Sequence, residues 1–183
     1  MVSHNNVTYI SCEDLASKLG SVYLLDCSVA EHEPSAKSEF ERQHINGAHF
    51  FDLENCRDKE SPYPHMFPKQ DNFIEHMKGL GVGLDKPIVV YDNDKGDWAS
   101  RGAYVIHTFG HPLVSILNGG LKKWISEARP VESGASTTKN DAVDFNFNLQ
   151  VERIKQFDEV HKIVTGELPS VQIVDARFSK LYE

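Results

Sequence analysis

Cysteine is scarce in this 183-residue chain, and what is there does not pair. Cys12, Cys27 and Cys56 are odd in number and never spaced as Cys-x-x-Cys. That excludes a disulfide framework, a zinc ribbon and a thioredoxin motif. No apolar run approaches the ~20 residues that span a bilayer. The opening residues Met1 to Asn6 have no basic region followed by an apolar one, and no Arg-rich amphipathic character, so no leader peptide is visible. A basic excess is missing too: 19 Lys and Arg face 27 Asp and Glu, for a net charge of −8. Nucleic acid and anionic membranes need clustered cations, so neither is expected as a partner. A small basic pocket for an anionic metabolite stays open. The 9 histidines form no metal-ligand pattern. His44 and His49 lie across a glycine turn. His107 and His111 have i, i+4 spacing but lack the glutamate of H-E-x-x-H. The expectation is a protein of a reducing compartment, the cytoplasm by default, with no metal and no organic cofactor.

What is present is an ordinary globular composition, 40% hydrophobic and 25% charged. Short apolar runs alternate with helical patterns. Val7 to Ile10 reads as a strand, and Ser11 caps a helix with Asp14 three residues on. Val22 to Leu25 is a strand ending at Asp26, and a charged helix follows around Ser38 to Gln43 with Phe40 inward. His44 to Gly47 is a turn, and Ala48 to Phe51 another strand. Asp52 to Pro68 is a long irregular connection, a length that is often functional. Asp71 is expected to cap a helix closing at Gly79. Ile88 to Tyr91 and Val114 to Leu117 are strands, each followed by a helix, Ser100 to Phe109 and Leu121 to Ala128. Near-continuous apolar strands alternating with helices predict an α/β fold with a parallel sheet covered on both faces.

The stretch Ile88 to Arg101 organises this reading. A β-branched and aromatic strand stops at Asp92, a polar loop with one glycine follows, and Ser100 opens a helix. Such a junction points backbone N–H groups and a positive helix end into the loop. Its first residue is Asp92, and no cysteine, histidine or serine precedes Ser100. Asp92 is read as a helix cap or loop acceptor.

Residues 131–150 are rich in small polar residues without periodicity and read as a linker between a domain at 7–130 and a second unit at 151–183. That unit repeats the opening: Val151 to Ile154, a helix around Asp158 to Val164, then an apolar strand Val171 to Val174 ending Asp175-Ala176-Arg177. Phe40-Glu41 is echoed by Tyr182-Glu183. Residues 151–183 are too few to bury a core alone, so this second unit reads as the start of a domain.

The segments His44-Ile45-Asn46-Gly47-Ala48-His49-Phe50-Phe51-Asp52, Ser61-Pro62-Tyr63-Pro64-His65-Met66, Val89-Val90-Tyr91-Asp92, Phe109-Gly110-His111 and Leu117-Asn118-Gly119-Gly120-Leu121-Lys122-Lys123-Trp124 resemble the N-terminal half of tandem-domain rhodaneses. That family comprises thiosulfate and 3-mercaptopyruvate sulfurtransferases. The resemblance implies two rhodanese-like domains, with sulfane sulfur carried as a persulfide on a cysteine that opens a loop of the second. The donor would be a small anion, thiosulfate or 3-mercaptopyruvate. The acceptor would be cyanide or a thiol, with a thioredoxin-type protein as one candidate. Asp92 stands where a catalytic cysteine would, so the first domain is expected to be non-catalytic and the chain alone inactive. Arg177 matches the arginine that grips the donor's anionic end, as a guanidinium can with two parallel bonds. His65 matches a first-domain histidine near the site of mercaptopyruvate-type members, with Glu54 where its carboxylate partner is usually aspartate. Cys27 and Cys56 read as inert. The resemblance also admits a mitochondrial location. Two other readings stand beside it: a non-catalytic rhodanese-like module that binds or regulates, and a truncated gene product.

Overall fold

The structure is a computed structural model that describes residues 7–30, 32–136, 139–141, 144–169 and 171–176. The chain divides into two units, Met1–Leu149 and Gln150–Glu183.

In the first unit five strands form a parallel sheet. They are β1 (Thr8–Ile10), β2 (Tyr23–Asp26), β4 (His49–Phe50), β5 (Ile88–Tyr91) and β6 (Val114–Leu117), in the order β1-β6-β5-β2-β4. Register sets Leu25 opposite Val90 and Asp26 opposite Tyr91. The period of two along each strand sorts the core into two layers. Tyr23, Leu25, Ile88 and Val90 pack with Phe73, Met77, Ile106 and Phe109 on one face. Phe73 and Met77 come from α4 (Gln70–Leu80), Ile106 from α5 (Asp97–Thr108), and Phe109 caps α5. Leu24, Val89 and Tyr91 pack with Leu15, Phe40, Leu121 and Trp124 on the other. There α1 (Cys12–Ala16), α2 (Ala36–Arg42) and α6 (Gly120–Ser126) cover the sheet. The expected α/β architecture is the observed one. No helix of the described residues is long and apolar enough to cross a membrane.

Several local expectations change on inspection. Ser11 does cap α1, its Oγ accepting the Asp14 N–H at 3.0 Å. Asp71 does not cap α4: Lys69 holds that position without a side-chain bond, and Gly81 at φ 63° ends the helix. Helix α5 begins at Asp97 rather than Ser100, because a side chain upstream satisfies its first N–H groups. The turn at 44–47 contains a strand, β3 (His44–Ile45), paired antiparallel with β7 (Val131–Glu132). Within the stretch 131–150 read as linker, Val131 and Glu132 pair with β3 and Phe147 is buried in the core of the first unit. Phe147 is buried against Phe73, which itself stacks on Phe109 at 4.0 Å between centroids.

The second unit holds a short 3-10 turn, Val151–Arg153, and α7 (Phe157–Val164). No residue of α7 is buried, and Phe157 is 79% and Val164 70% exposed. Val171 to Val174, expected as a strand, pairs with none among the described residues, since a strand needs a neighbour to complete its ladder. Tyr182 and Glu183 lie outside the described residues.

Candidate functional site

The strands β2 and β5 lie side by side; Asp26 is the last residue of β2, and Asp92 directly follows β5. From this seam the chain leaves in opposite directions, to β4 on one side and β6 on the other. Such a switch point, outside the carboxyl ends of parallel strands, is where open α/β sheets build sites.

Asp92 is buried, and its carboxylate accepts four backbone N–H bonds, two from its own loop and two from the first turn of α5. Oδ1 takes Asp94 at 3.1 Å and Gly96 at 3.0 Å, and Oδ2 takes Trp98 at 3.1 Å and Ala99 at 3.0 Å. Gly96, at φ 93°, turns the chain so that these groups converge. The result is an anion nest completed by the start of α5, with the residue's own side chain as its anion. The Asp92 carbonyl in turn accepts Leu121 N–H at 2.9 Å. A Cβ at Gly120, which sits at φ 54°, would collide with that carbonyl.

Asp26 is the site residue that sequence reasoning missed. It is 2% exposed, and its Oδ1 accepts Ser28 N–H at 2.8 Å. The Ser28 and Tyr91 hydroxyls also bond its carboxyl, and Ser28 Oγ accepts Asn93 N–H at 3.0 Å. Burial pushes the Asp26 pKa up to about 6 against these bonds, and the charge of Asp92 adds to the rise. Burial and the neighbouring Asp26 likewise raise Tyr91. The available signal was the pair of aspartates closing two adjacent strands.

The structure brings Glu54 and His65 together. Glu54 lies on α3 (Leu53–Cys56), whose N-cap Asp52 accepts Asn55 N–H at 2.9 Å. His65 Nδ1 is hydrogen-bonded to Glu54 Oε1, and Arg57 Nε is 3.6 Å from Glu54 Oε2. His65 adopts φ 55° and meets the Trp98 ring edge-on at 5.0 Å. Arg101, one helical turn beyond Trp98, donates to the His65 carbonyl. Neither Trp98 nor Arg101 stood out in the sequence, though their i, i+3 spacing places them on one helix face. Arg177 lies outside the described residues.

The three thiols are buried. Burial raises Cys12, pushes Cys27 well above the ordinary thiol range, and takes Cys56 to about 12, with Asp26 and Asp52 adding to the last two. None has the electropositive, accessible surroundings that make a thiolate nucleophile.

A family model described as Rhodanese-like domain matches residues 11–127. The chain is 38% identical over 166 residues to thiosulfate sulfurtransferase of Gallus gallus, covering 88% of this chain and 56% of that protein. To 3-mercaptopyruvate sulfurtransferase of Homo sapiens it is 38% identical over 144 residues, covering 78% and 47%. It spans about half the length of the curated relatives it matches. Among solved structures it is similar to SseA from Escherichia coli, a 3-mercaptopyruvate sulfotransferase. The TM-score is 0.88 at 30% identity, covering 97% of this chain and 68% of that one. Tum1 from Saccharomyces cerevisiae matches with a TM-score of 0.74 at 26% identity, covering 88% and 57%.

Proposed function

We propose, from the premise that this chain belongs to the rhodanese-like family, that it supplies the non-catalytic first domain of a sulfurtransferase. The observation that carries the reading is the Asp92 carboxylate inside four loop N–H groups. A nest of that kind would favour a thiolate and then a persulfide. Here it is filled by a carboxylate that has no sulfur to exchange and would repel an anionic donor. No other thiol substitutes, because all three are buried with raised pKa values.

In a protein of its relatives' length, sulfur transfer would fall to a second domain that begins near Val151. The exposed apolar residues Phe157, Val164, Ile173 and Val174 support that reading, since such a face has no core of its own to join. The donor would be thiosulfate or 3-mercaptopyruvate, and the acceptor cyanide or a thiol. Arg177 would hold the donor's anionic end, and the Glu54–His65 pair would serve the first domain's side of that site. The cytoplasm is the proposed location.

The test is a sulfurtransfer assay of the 183-residue chain with thiosulfate and cyanide, and with 3-mercaptopyruvate and a thiol. No turnover is expected, and no persulfide by intact mass. Turnover abolished by Cys27→Ser or Cys56→Ser would overturn the proposal.

A further inference from the structure

The pair of two-residue strands β3 and β7 ties the chain after α6 back to the segment after α2, and its polar contacts centre on one histidine. His44 is fully buried, and its ring stacks on Phe40 at 3.8 Å between centroids, 11° from parallel. Both ring nitrogens face acceptors. Nδ1 is 2.7 Å from the Phe40 carbonyl, and Nε2 is 3.2 Å from Glu132 Oε1. A carbonyl and a carboxylate can only accept, so the geometry asks both nitrogens to donate. A neutral imidazole has one N–H and cannot do so; the imidazolium can. Glu132 Oε1 also accepts Gly47 N–H at 2.9 Å, and Gly134 N–H reaches the Glu41 carbonyl at 2.6 Å.

The other neighbours of His44 fit a charged ring. From β4, His49 is the nearest titratable group. Burial first and His44 second lower its pKa, against a smaller rise from Glu132. From α6, the residues sharing this core are Leu121 and Trp124, which carry no charge. Glu132 on β7 is therefore the anion the ring answers to, and α2 contributes the Phe40 carbonyl.

We propose that His44 and Glu132 form a proton-operated latch: while His44 carries two protons its ring adds a side-chain clamp to the β3–β7 pairing, and on losing the Nε2 proton it loosens that strap. Deprotonation sends the Nε2 proton to solvent and leaves a lone pair facing the carboxylate. The Nδ1–H bond to Phe40 survives, so the ring stays in place and the carboxylate is what moves. The strap continues into Ala135 and Ser136, which with Phe40, Phe50 and Leu80 line a cavity of about 660 Å³. The latch thus sets whether one wall of that cavity is held.

The test follows His44 by ring 15N NMR from pH 5 to pH 9, together with hydrogen exchange at Gly47 and Gly134. Both His44 nitrogens are expected at imidazolium shifts at the acid end. As the ring loses its proton, protection of Gly47 and Gly134, corrected for intrinsic exchange, is expected to fall about 10-fold, the factor of one charge-assisted hydrogen bond. Glu132→Gln keeps an acceptor for Gly47 and removes the charge, so the His44 transition moves to lower pH. His44 remaining neutral throughout would overturn the latch. So would a His44 transition that leaves both amides unchanged, or that Glu132→Gln does not move. His44→Gln serves as a second variant, with the expected outcome a pH-independent Gly47 protection.

Discussion

Replacing Asp26 by asparagine tests the buried seam between β2 and β5 directly. The ordinary pKa of the carboxyl is 3.8, and in the fold burial raises it to about 6. A group whose folded pKa is raised keeps its proton in the native state while the unfolded chain has already lost it. Native protein then binds more protons between about pH 4 and pH 6, so stability falls as pH rises through that window. The gap between 3.8 and about 6 corresponds to about 3 kcal/mol at about 1.36 kcal/mol per pH unit. With 2% exposure, solvent screening takes little of that away. Asparagine stays neutral at every pH. Its amide oxygen can accept Ser28 N–H as Asp26 Oδ1 does at 2.8 Å, and its NH2 can donate to the Ser28 or Tyr91 hydroxyl. Urea unfolding of both proteins at pH 4.5, 5.5, 6.5 and 7.5 separates the terms. Any constant offset from the altered bonds cancels, and because about a third of the effect is already present at pH 4.5, the stability of Asp26→Asn relative to the parent is expected to grow by about 2 kcal/mol from pH 4.5 to pH 7.5. Two curves that stay parallel across the range would refute the reasoning, because Asp26 would then ionise alike in both states.

Asp92→Ala leaves four N–H groups without their acceptor, the one of Ala99 buried and the other three part-buried, and is expected to cost about 2–4 kcal/mol at pH 7, read from urea midpoints; a loss under about 1 kcal/mol would mean that water takes the place of the carboxylate. Asp92→Asn keeps one acceptor oxygen but sets an NH2 against the other two donors, so it is expected to lose nearly as much. Gly120→Ala puts a Cβ on the Asp92 carbonyl at a residue with φ 54°, and is expected to cost about 2–4 kcal/mol, while Gly20→Ala, at φ 85° in open space, loses only the conformational share of about 1–2 kcal/mol. Thiol labelling of the native chain is expected to be slow at all three cysteines and complete after denaturation; one fast native site would show a thiol more accessible than its burial allows.

The strands β5 and β6 were legible because their signal is local: four β-branched or aromatic residues in β5, and three aliphatic residues around Ser115 in β6, bounded by polar turns. The start of α5 was not. Its first N–H groups are satisfied by Asp92, six and seven residues upstream of Trp98 and Ala99, so the ordinary search for a cap adjacent to the helix finds only Ser100. The β3–β7 pairing was invisible for a different reason. Two-residue strands have no period, and His44 meets Glu132 across 88 positions of chain. The burial of Phe147 was masked by the small polar residues before it. Glu54 and His65 sit 11 residues apart in an irregular connection. Only the family resemblance joined them, whereas Trp98 and Arg101, which support His65 from α5, carried no motif.

The loop after β5 can hold one anion, and this chain provides it covalently. The Asp92 carboxylate cannot leave the nest without stripping four N–H groups of their acceptor. A small dianion in solution would have to displace a charge that is tethered in the loop and already holds all four N–H groups. On the proposed reading competition would favour the side chain, and the bonds that start α5 would also close the loop to a donor. What a catalytic loop would spend on stabilising a thiolate is spent here on fixing a helix and, through Leu121 N–H on the Asp92 carbonyl, on seating α6 against the sheet. The nest has become part of the framework, which is why its disruption is expected to register in stability before it registers in any sulfur chemistry.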